Sequence, residues 1–181
     1  MLEAAGIPLE VVAADIDERG IEEKAAHRSP QNIAALLAGA KASAVAASRP
    51  GRLVIGGDQT LALGAQLFSK PAKREEAAEQ LRALRGKTHA LYSAVAVMRD
   101  GEVLFAHCDI ARMTMRAFSE EFLAAYLDAA GAAASASVGG YQWEKLGVHL
   151  FERVEGDHFT ILGLPLLAFL QFLRREGLLG E

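Results

Sequence analysis

Apolar residues Ile33, Leu36, Leu37, Ala40 and Ala44 recur at helical spacing and predict a helix from Pro30 to about Ser48. Ser29 and Pro30 supply its cap and first-turn proline, and Arg49-Pro50-Gly51 breaks it. Two β-rich runs, Thr88 to Met98 and Glu102 to Met115, flank Asp100-Gly101, a strong hairpin signal. Leu53-Val54-Ile55 is a short continuous apolar run, the mark of a strand covered on both faces, and it is expected to end at Gly56-Gly57-Asp58-Gln59-Thr60. Further strands are predicted at Pro8–Ala13 and Val148–Phe151. Asp15 to Gly20 reads as an acidic loop. Further helices are predicted at Lys73–Arg85, closed by Gly86, from Ser119 to Gly131, and at Pro165–Glu176, ended by Gly177. Helices and strands interleave without a repeat or a long linker, which predicts one α/β domain over residues 1–181 on a mixed sheet. Met1 to Gly6 reads as the last turn of a helix stopped by glycine, without its beginning. Such a start points to a shortened chain or to an upstream segment outside this sequence.

Composition narrows the function classes. The chain has 181 residues, 51% of them hydrophobic, enough for a substantial core. Nineteen basic against 23 acidic side chains give a net charge of −4, so no global basic field invites a nucleic-acid polymer. The lone Cys108 excludes an intramolecular disulfide framework and a multi-cysteine zinc site. The longest apolar stretch, Phe159 to Leu173, is interrupted and too short for a bilayer, and the start lacks a signal-peptide pattern. A soluble, cytoplasmic protein without a membrane partner is expected.

Several polar residues stand where chemistry is done. Asp58 follows a buried strand and two glycines, at the strand end where open α/β sheets place ligands; a turn cap has the same signature. Asp15, Asp17 and Glu18 form an acidic cluster after an earlier strand. Glu18 and Asp58 suit a hard divalent cation, which takes one or two carboxylates together with waters and phosphates, while a solvated acidic loop looks alike. Lys41 and Lys70 are either phosphate-neutralising cations or surface lysines. The five histidines, His27, His89, His107, His149 and His158, show no zinc-protease spacing. His107 and Cys108 are adjacent on a strand and face opposite ways, which leaves a Cys/His nucleophilic pair unsupported. Trp143 beside Glu144 suits either stacking on a base or the core.

These pieces together resemble the Maf family of nucleoside triphosphate pyrophosphatases, from Met1 to about Gly177. In family order stand Ile16-Asp17-Glu18, Ala40-Lys41-Ala42, Gly56-Gly57-Asp58-Gln59, Ser69-Lys70-Pro71 and Gly86-Lys87-Thr88-His89. Val138-Gly139-Gly140-Tyr141, Glu155-Gly156-Asp157 and Gly163-Leu164-Pro165-Leu166 follow. The resemblance implies an α/β fold like that of inosine triphosphatases, with a mixed sheet flanked by helices in two lobes around a cleft, often as a homodimer. It implies hydrolysis of a nucleoside triphosphate at the α–β phosphoanhydride, giving the monophosphate and pyrophosphate, with Mg²⁺ or Mn²⁺. By family match, Asp58 is the proton acceptor and a metal ligand, Glu18 helps hold metal or water, and Lys41 and Lys70 contact the phosphates.

Gln59 after the aspartate, and Glu144 three residues after Tyr141, resemble the branch acting on 7-methyl-GTP. The dTTP and UTP branch usually has threonine and glutamine there. Guanine offers adjacent N–H donors that one ionised glutamate accepts together, whereas thymine has a single donor between carbonyls. An exposed loop residue is the plainer reading of Glu144. The family's opening Ser-x-Ser-Pro-x-Arg-Arg motif has no counterpart in this sequence, and Met1-Leu2-Glu3 aligns just after it. Its loss would take a strand from one sheet edge and arginines from the triphosphate. The competing readings are a dTTP or UTP pyrophosphatase and a non-catalytic, nucleotide-binding regulator of cell division.

Overall fold

The computed structural model describes residues 1–25 and 29–180, so His27 lies outside the described residues. The expected α/β class is the one adopted. A five-stranded sheet runs in the order β2-β1-β3-β4-β5, built from β1 (Val54–Leu63), β2 (Gln66–Phe68), β3 (Thr88–Arg99), β4 (Glu102–Met115) and β5 (Phe151–Glu155). β1 pairs antiparallel with β2, and β4 with β5. Asp100 (φ 52°) and Gly101 (φ 85°) turn the chain from β3 into β4 with two positive-φ residues, as a tight hairpin demands. Among the described residues, six α-helices accompany the sheet: α1 (Glu18–Lys24), α2 (Pro30–Ala46), α3 (Arg74–Leu84), α4 (Glu120–Ala130), α5 (His158–Ile161) and α6 (Leu166–Arg175). Among the described residues, no helix is long and apolar enough to cross a membrane.

Caps explain where four of these helices begin. The side chains of Asp17, Ser29, Ser119 and Asp157 each accept a backbone N–H from the first turn of α1, α2, α4 and α5. The acidic loop expected at Asp15–Gly20 therefore gives way to helix from Glu18. Pro8–Ala13, expected as a strand, has no regular structure. Pro8 offers no N–H and Val11 is 84% exposed, so no ladder forms. The expected strand at Val148–Phe151 is displaced too. Leu146–Leu150 is a 3₁₀ turn, in which Val148 N–H donates to the Lys145 carbonyl, and the strand starts only at Phe151.

The chain divides into two compact units. One comprises residues 1–59, 92–109 and 157–181; the other comprises residues 60–91 and 110–156. In the first unit, Ala34, Ala38, Ala42 and Ala46 of α2 pack on Val54, Ala94, Ala96 and Met98. Leu166, Phe169, Phe172 and Leu173 of α6 pack on Val95 and Val97. Consecutive strand residues face opposite ways, so β3 serves both cores from its two faces. The buried stripe of α2 shares Ile33 and Leu37 with the predicted one but not the rest. Leu36 is 43% exposed and Ala44 is exposed, while the alanines at 34, 38 and 42 are fully buried.

The first unit also carries an apolar trough of about 510 Å³ along residues 7–12, Val54, Ile55 and Gly57. β2 pairs with β1 only at Leu61–Leu63, so no strand lies beside Val54–Thr60 on that edge among the described residues. In the second unit, the Val138–Gly140 turn is held from two helices. Gly139 N–H donates to Gln80 Oε1 at 3.0 Å, and Tyr126 Oη donates to the Gly140 carbonyl at 3.1 Å. His89 Nε2 and Tyr141 Oη lie 2.7 Å apart beneath that turn, with Phe151 packed on both rings.

Candidate active site

β1 does not stop at the glycines. It runs through Gly56-Gly57-Asp58 to Leu63, so Asp58 stands within the strand and not at the predicted strand-end turn. The two glycines have different reasons. A Cβ on Gly56 would meet the Ala38 carbonyl oxygen and would lie 2.7 Å from Ala42 N and 2.9 Å from Ala42 Cβ, so glycine is what lets α2 lie against the strand. Gly57 faces the other side, where a Cβ would find ordinary contacts at 3.6 Å and 3.8 Å.

That close approach delivers Lys41. It lies one turn beyond Ala38 on α2, and its Nζ is 2.7 Å from Asp58 Oδ1 and 2.9 Å from Glu18 Oε1. Glu18 reaches the same ammonium from the first turn of α1, where Asp17 Oδ1 accepts the Gly20 N–H at 3.0 Å. The three side chains are exposed to different degrees: Asp58 11%, Lys41 25% and Glu18 50%. Burial raises the Asp58 pKa and the Glu18 charge adds to the rise, while the Lys41 hydrogen bond and charge pull it back; the balance is upward. For Lys41, burial alone would lower the pKa. The hydrogen bonds and charges of Asp58 and Glu18 together outweigh that, so the ammonium is held above its usual value. The result is a carboxylate of increased basicity beside a permanent cation, a pairing suited to taking a proton from water next to an anionic group.

The other predicted residues are placed elsewhere. Gln59 faces away from Asp58, as strand alternation requires. Its Nε2 lies 2.8 Å from Ser93 Oγ, 3.0 Å from the Thr160 carbonyl and 3.2 Å from the Ile161 carbonyl. Two of these partners are carbonyls and can only accept, which fixes that end of the side chain as the NH₂. Ser93 Oγ donates to the Thr160 carbonyl at 2.6 Å and so accepts from Gln59. Both amide hydrogens of Gln59 are thus engaged within the protein, and its Oε1 is the end left to accept.

Lys70 and Glu144 belong to the second unit and are both exposed. Lys70 follows β2, where Gln80 Nε2 donates to the Ser69 carbonyl at 2.8 Å. Glu144 sits in the turn between Tyr141 and Leu146. Neither makes a hydrogen bond or an ion pair with another described residue. Ser93, fully buried, is a site residue that sequence reasoning passed over; its only signal is a polar residue within the apolar run of β3. Trp143 is half-buried with its ring 5.5 Å from Phe151. Burial pushes the Cys108 thiol up to about 11, which makes it a poor nucleophile.

The donor set can be tested against a divalent cation. No cluster of three or more His, Cys, Asp or Glu exists among the described residues. Glu18 and Asp58 nonetheless converge on one point already occupied by a cation, the Lys41 ammonium. Two carboxylates with room for water and phosphate oxygens is what Mg²⁺ ordinarily takes from a protein, so the residues fit the group.

Comparison with known proteins gives consistent results. The profile of the family described as Maf-like protein matches residues 1–176. The chain is 59% identical over 180 residues to a protein of Rhodopseudomonas palustris (strain HaA2) named nucleoside triphosphate pyrophosphatase, covering 99% of this chain and 89% of the relative. A protein of Bradyrhizobium diazoefficiens with the same name is also 59% identical, with the same coverage. A protein of Mesorhizobium japonicum named 7-methyl-GTP pyrophosphatase is 51% identical over 179 residues, covering 98% of this chain and 90% of the relative.

Proposed function

The chain belongs to the Maf family, and from that premise we propose that it is a nucleoside triphosphate pyrophosphatase, a hydrolase of acid anhydrides, with Asp58 as the proton acceptor. The observation that carries this reading is the convergence of Glu18, Lys41 and Asp58 within 2.7–2.9 Å. Asp58 accepts the proton of the attacking water, and its raised pKa suits that role. Lys41, held charged, offsets negative charge as it builds on the phosphate oxygens. Glu18 fixes the ammonium from the opposite side. A divalent cation held by Glu18 and Asp58 would supply further charge neutralisation for the triphosphate and polarise its phosphoryl oxygens. Lys70, with no ion-pair partner among the described residues, is assigned to the phosphates as well, and Gln59 and Glu144 to the base.

For the base, the proposal is a preference for 7-methyl-GTP. Glu144 is acceptor-only and exposed, and Gln59 has only its Oε1 left to offer, so both favour a base edge carrying N–H donors over one carrying carbonyls. The relative named 7-methyl-GTP pyrophosphatase adds support, while the more similar relatives carry the general name.

The test is pyrophosphate release with Mg²⁺ or Mn²⁺ across 7-methyl-GTP, GTP, dTTP and UTP, for the wild type and Asp58→Asn. Turnover is expected to be greatest on 7-methyl-GTP and to fall roughly 10²–10⁴-fold in the variant. Asn keeps an acceptor for Lys41, so the loss should appear in kcat with the fold intact. Wild-type kcat in Asp58→Asn would remove Asp58 from the chemistry. Turnover on dTTP and UTP alone would refute the guanine preference. Silence of the folded wild type on every nucleotide would favour a non-catalytic protein.

A further inference from the structure

We propose that the Lys41 ammonium is the resident cation of the Glu18–Asp58 pair, and that a divalent cation enters the pair by displacing it, freeing Lys41 for the triphosphate. This inference rests on the reading of Glu18 and Asp58 as a cation-binding pair and adds what Lys41 does there.

The geometry leaves little room for both cations. Nζ lies 2.7 Å from Asp58 Oδ1 and 2.9 Å from Glu18 Oε1, so the ammonium already engages both carboxylates. A hard divalent cation held by the same two carboxylates would compete with the ammonium for their negative charge. Two positive charges cannot take the same two oxygens at once without strong repulsion.

Lys41 is able to leave. The ammonium has no hydrogen-bonding partner other than these carboxylates among the described residues, and its side chain is 25% exposed. Four rotatable carbons separate it from a backbone fixed in the middle of α2, so the head can swing while the helix stays. Charge also favours an exchange. Two carboxylates and an ammonium sum to −1. Replacing the ammonium by a divalent cation brings the pair to neutrality and releases one positive charge beside the incoming polyphosphate.

The device has a consequence for binding order. With two carboxylates and no third ligand among the described residues, a divalent cation gains little from the protein alone and must also displace Lys41. The nucleotide tips the balance, because its phosphates ligate the metal and accept the displaced ammonium. Free metal should therefore bind weakly, and metal with nucleotide strongly.

Two measurements test this. The first is Mn²⁺ titration by calorimetry without nucleotide, on wild type and Lys41→Met. The variant is expected to bind Mn²⁺ roughly tenfold more tightly, because nothing has to be displaced. Equal or weaker binding by the variant overturns the inference and leaves the pyrophosphatase reading standing. Absence of Mn²⁺ binding to either protein, with or without nucleotide, overturns both. The second measurement needs no variant and covers the case in which Lys41→Met fails to fold. Wild-type protein is acylated with acetic anhydride at fixed pH and Lys41 modification is followed by peptide mass spectrometry. Saturating Mn²⁺ without nucleotide is expected to raise the labelling of Lys41 several-fold over the metal-free protein, while Lys145 is unchanged. Constant or reduced Lys41 labelling shows that the ammonium stays between the carboxylates, and overturns the displacement.

Discussion

Gly56→Ala is the substitution that tests the link between packing and chemistry. The added methyl group would lie 2.7 Å from Ala42 N and 2.9 Å from Ala42 Cβ, with the Ala38 carbonyl oxygen closer still. Carbon contacts relax at about 3.5 Å, so α2 must retreat from β1 by about 1 Å. Two of the three obstructing atoms are helix backbone, which no rotamer change moves, and for that reason Ala42→Gly should not rescue the variant. Overpacking of this kind costs about 1–3 kcal/mol, and each kcal/mol shifts Tm by about 2–4 °C at this chain length, so a fall of roughly 2–12 °C is expected. The functional loss should be larger than the stability loss suggests. Lys41 and its neighbours ride on the same helix, so a retreat of about 1 Å shifts the whole α2 side of the site relative to Asp58. A misplacement of that size costs roughly 10²-fold in rate. The assay pairs thermal unfolding with steady-state pyrophosphate release, and Gly57→Ala is the control for stability. Its methyl group would meet Ala94 O at 3.6 Å and Leu164 Cδ1 at 3.8 Å, so its Tm should stay near the wild-type value. Wild-type Tm and kcat in Gly56→Ala would refute the claim that this glycine sets the helix-to-strand distance.

Two further outcomes follow from buried polar groups. His89 is 1% exposed and burial lowers its pKa to about 4 from 6.5, so the unfolded chain takes up a proton that the native protein refuses between those values. Stability should be intact above pH 6.5 and decline as the pH falls toward 4, by about 3 kcal/mol from this residue. His89→Phe should flatten the Tm-against-pH slope between pH 6.5 and 5, and an unchanged slope would exclude His89 as the cause. Gln59→Met removes the donor shared by the Thr160 and Ile161 carbonyls and should cost about 1–3 kcal/mol, read as a lower Tm. An unaltered Tm with an altered nucleotide preference would make Gln59 a substrate contact alone.

What the sequence shows of this molecule depends on whether a residue's role is written in its own chemistry. The caps at Ser29 and Ser119 and the Asp100-Gly101 hairpin were readable because the capping oxygens and positive-φ turn are local properties. The strand predicted at Pro8–Ala13 was not, because β-composition describes a residue's fit to a sheet and says nothing about whether a neighbour is there to pair. Glu18 and Asp58 were paired in the sequence as holders of one cation, and Lys41 was a candidate phosphate contact. The convergence of all three on one point was not visible, since three elements far apart in sequence meet there. Gln59 shows the converse, a packing role that its position in the sequence hides. Beside Asp58 in sequence it suggests a shared site, yet strand alternation turns it to the other face and into a latch on α5.

The α2 stripe shows why the supporting half of a site is the harder half to read. Helical spacing favoured Ile33, Leu36, Leu37, Ala40 and Ala44 as the inward face, and of these Ile33 and Leu37 are buried, at 3% and 2%. The part of the helix against the sheet is made by Ala34, Ala38 and Ala42, while Leu36 is left 43% exposed. That leaves one leucine of α2 in solvent. What it gains is distance: alanine against glycine brings helix and strand close enough for a lysine one turn along to reach a carboxylate in the strand at 2.7 Å. Leucines at 34, 38 and 42 would bury more area and hold α2 away from β1. The small residues of α2 and Gly56 together set the separation at which the ion pair forms.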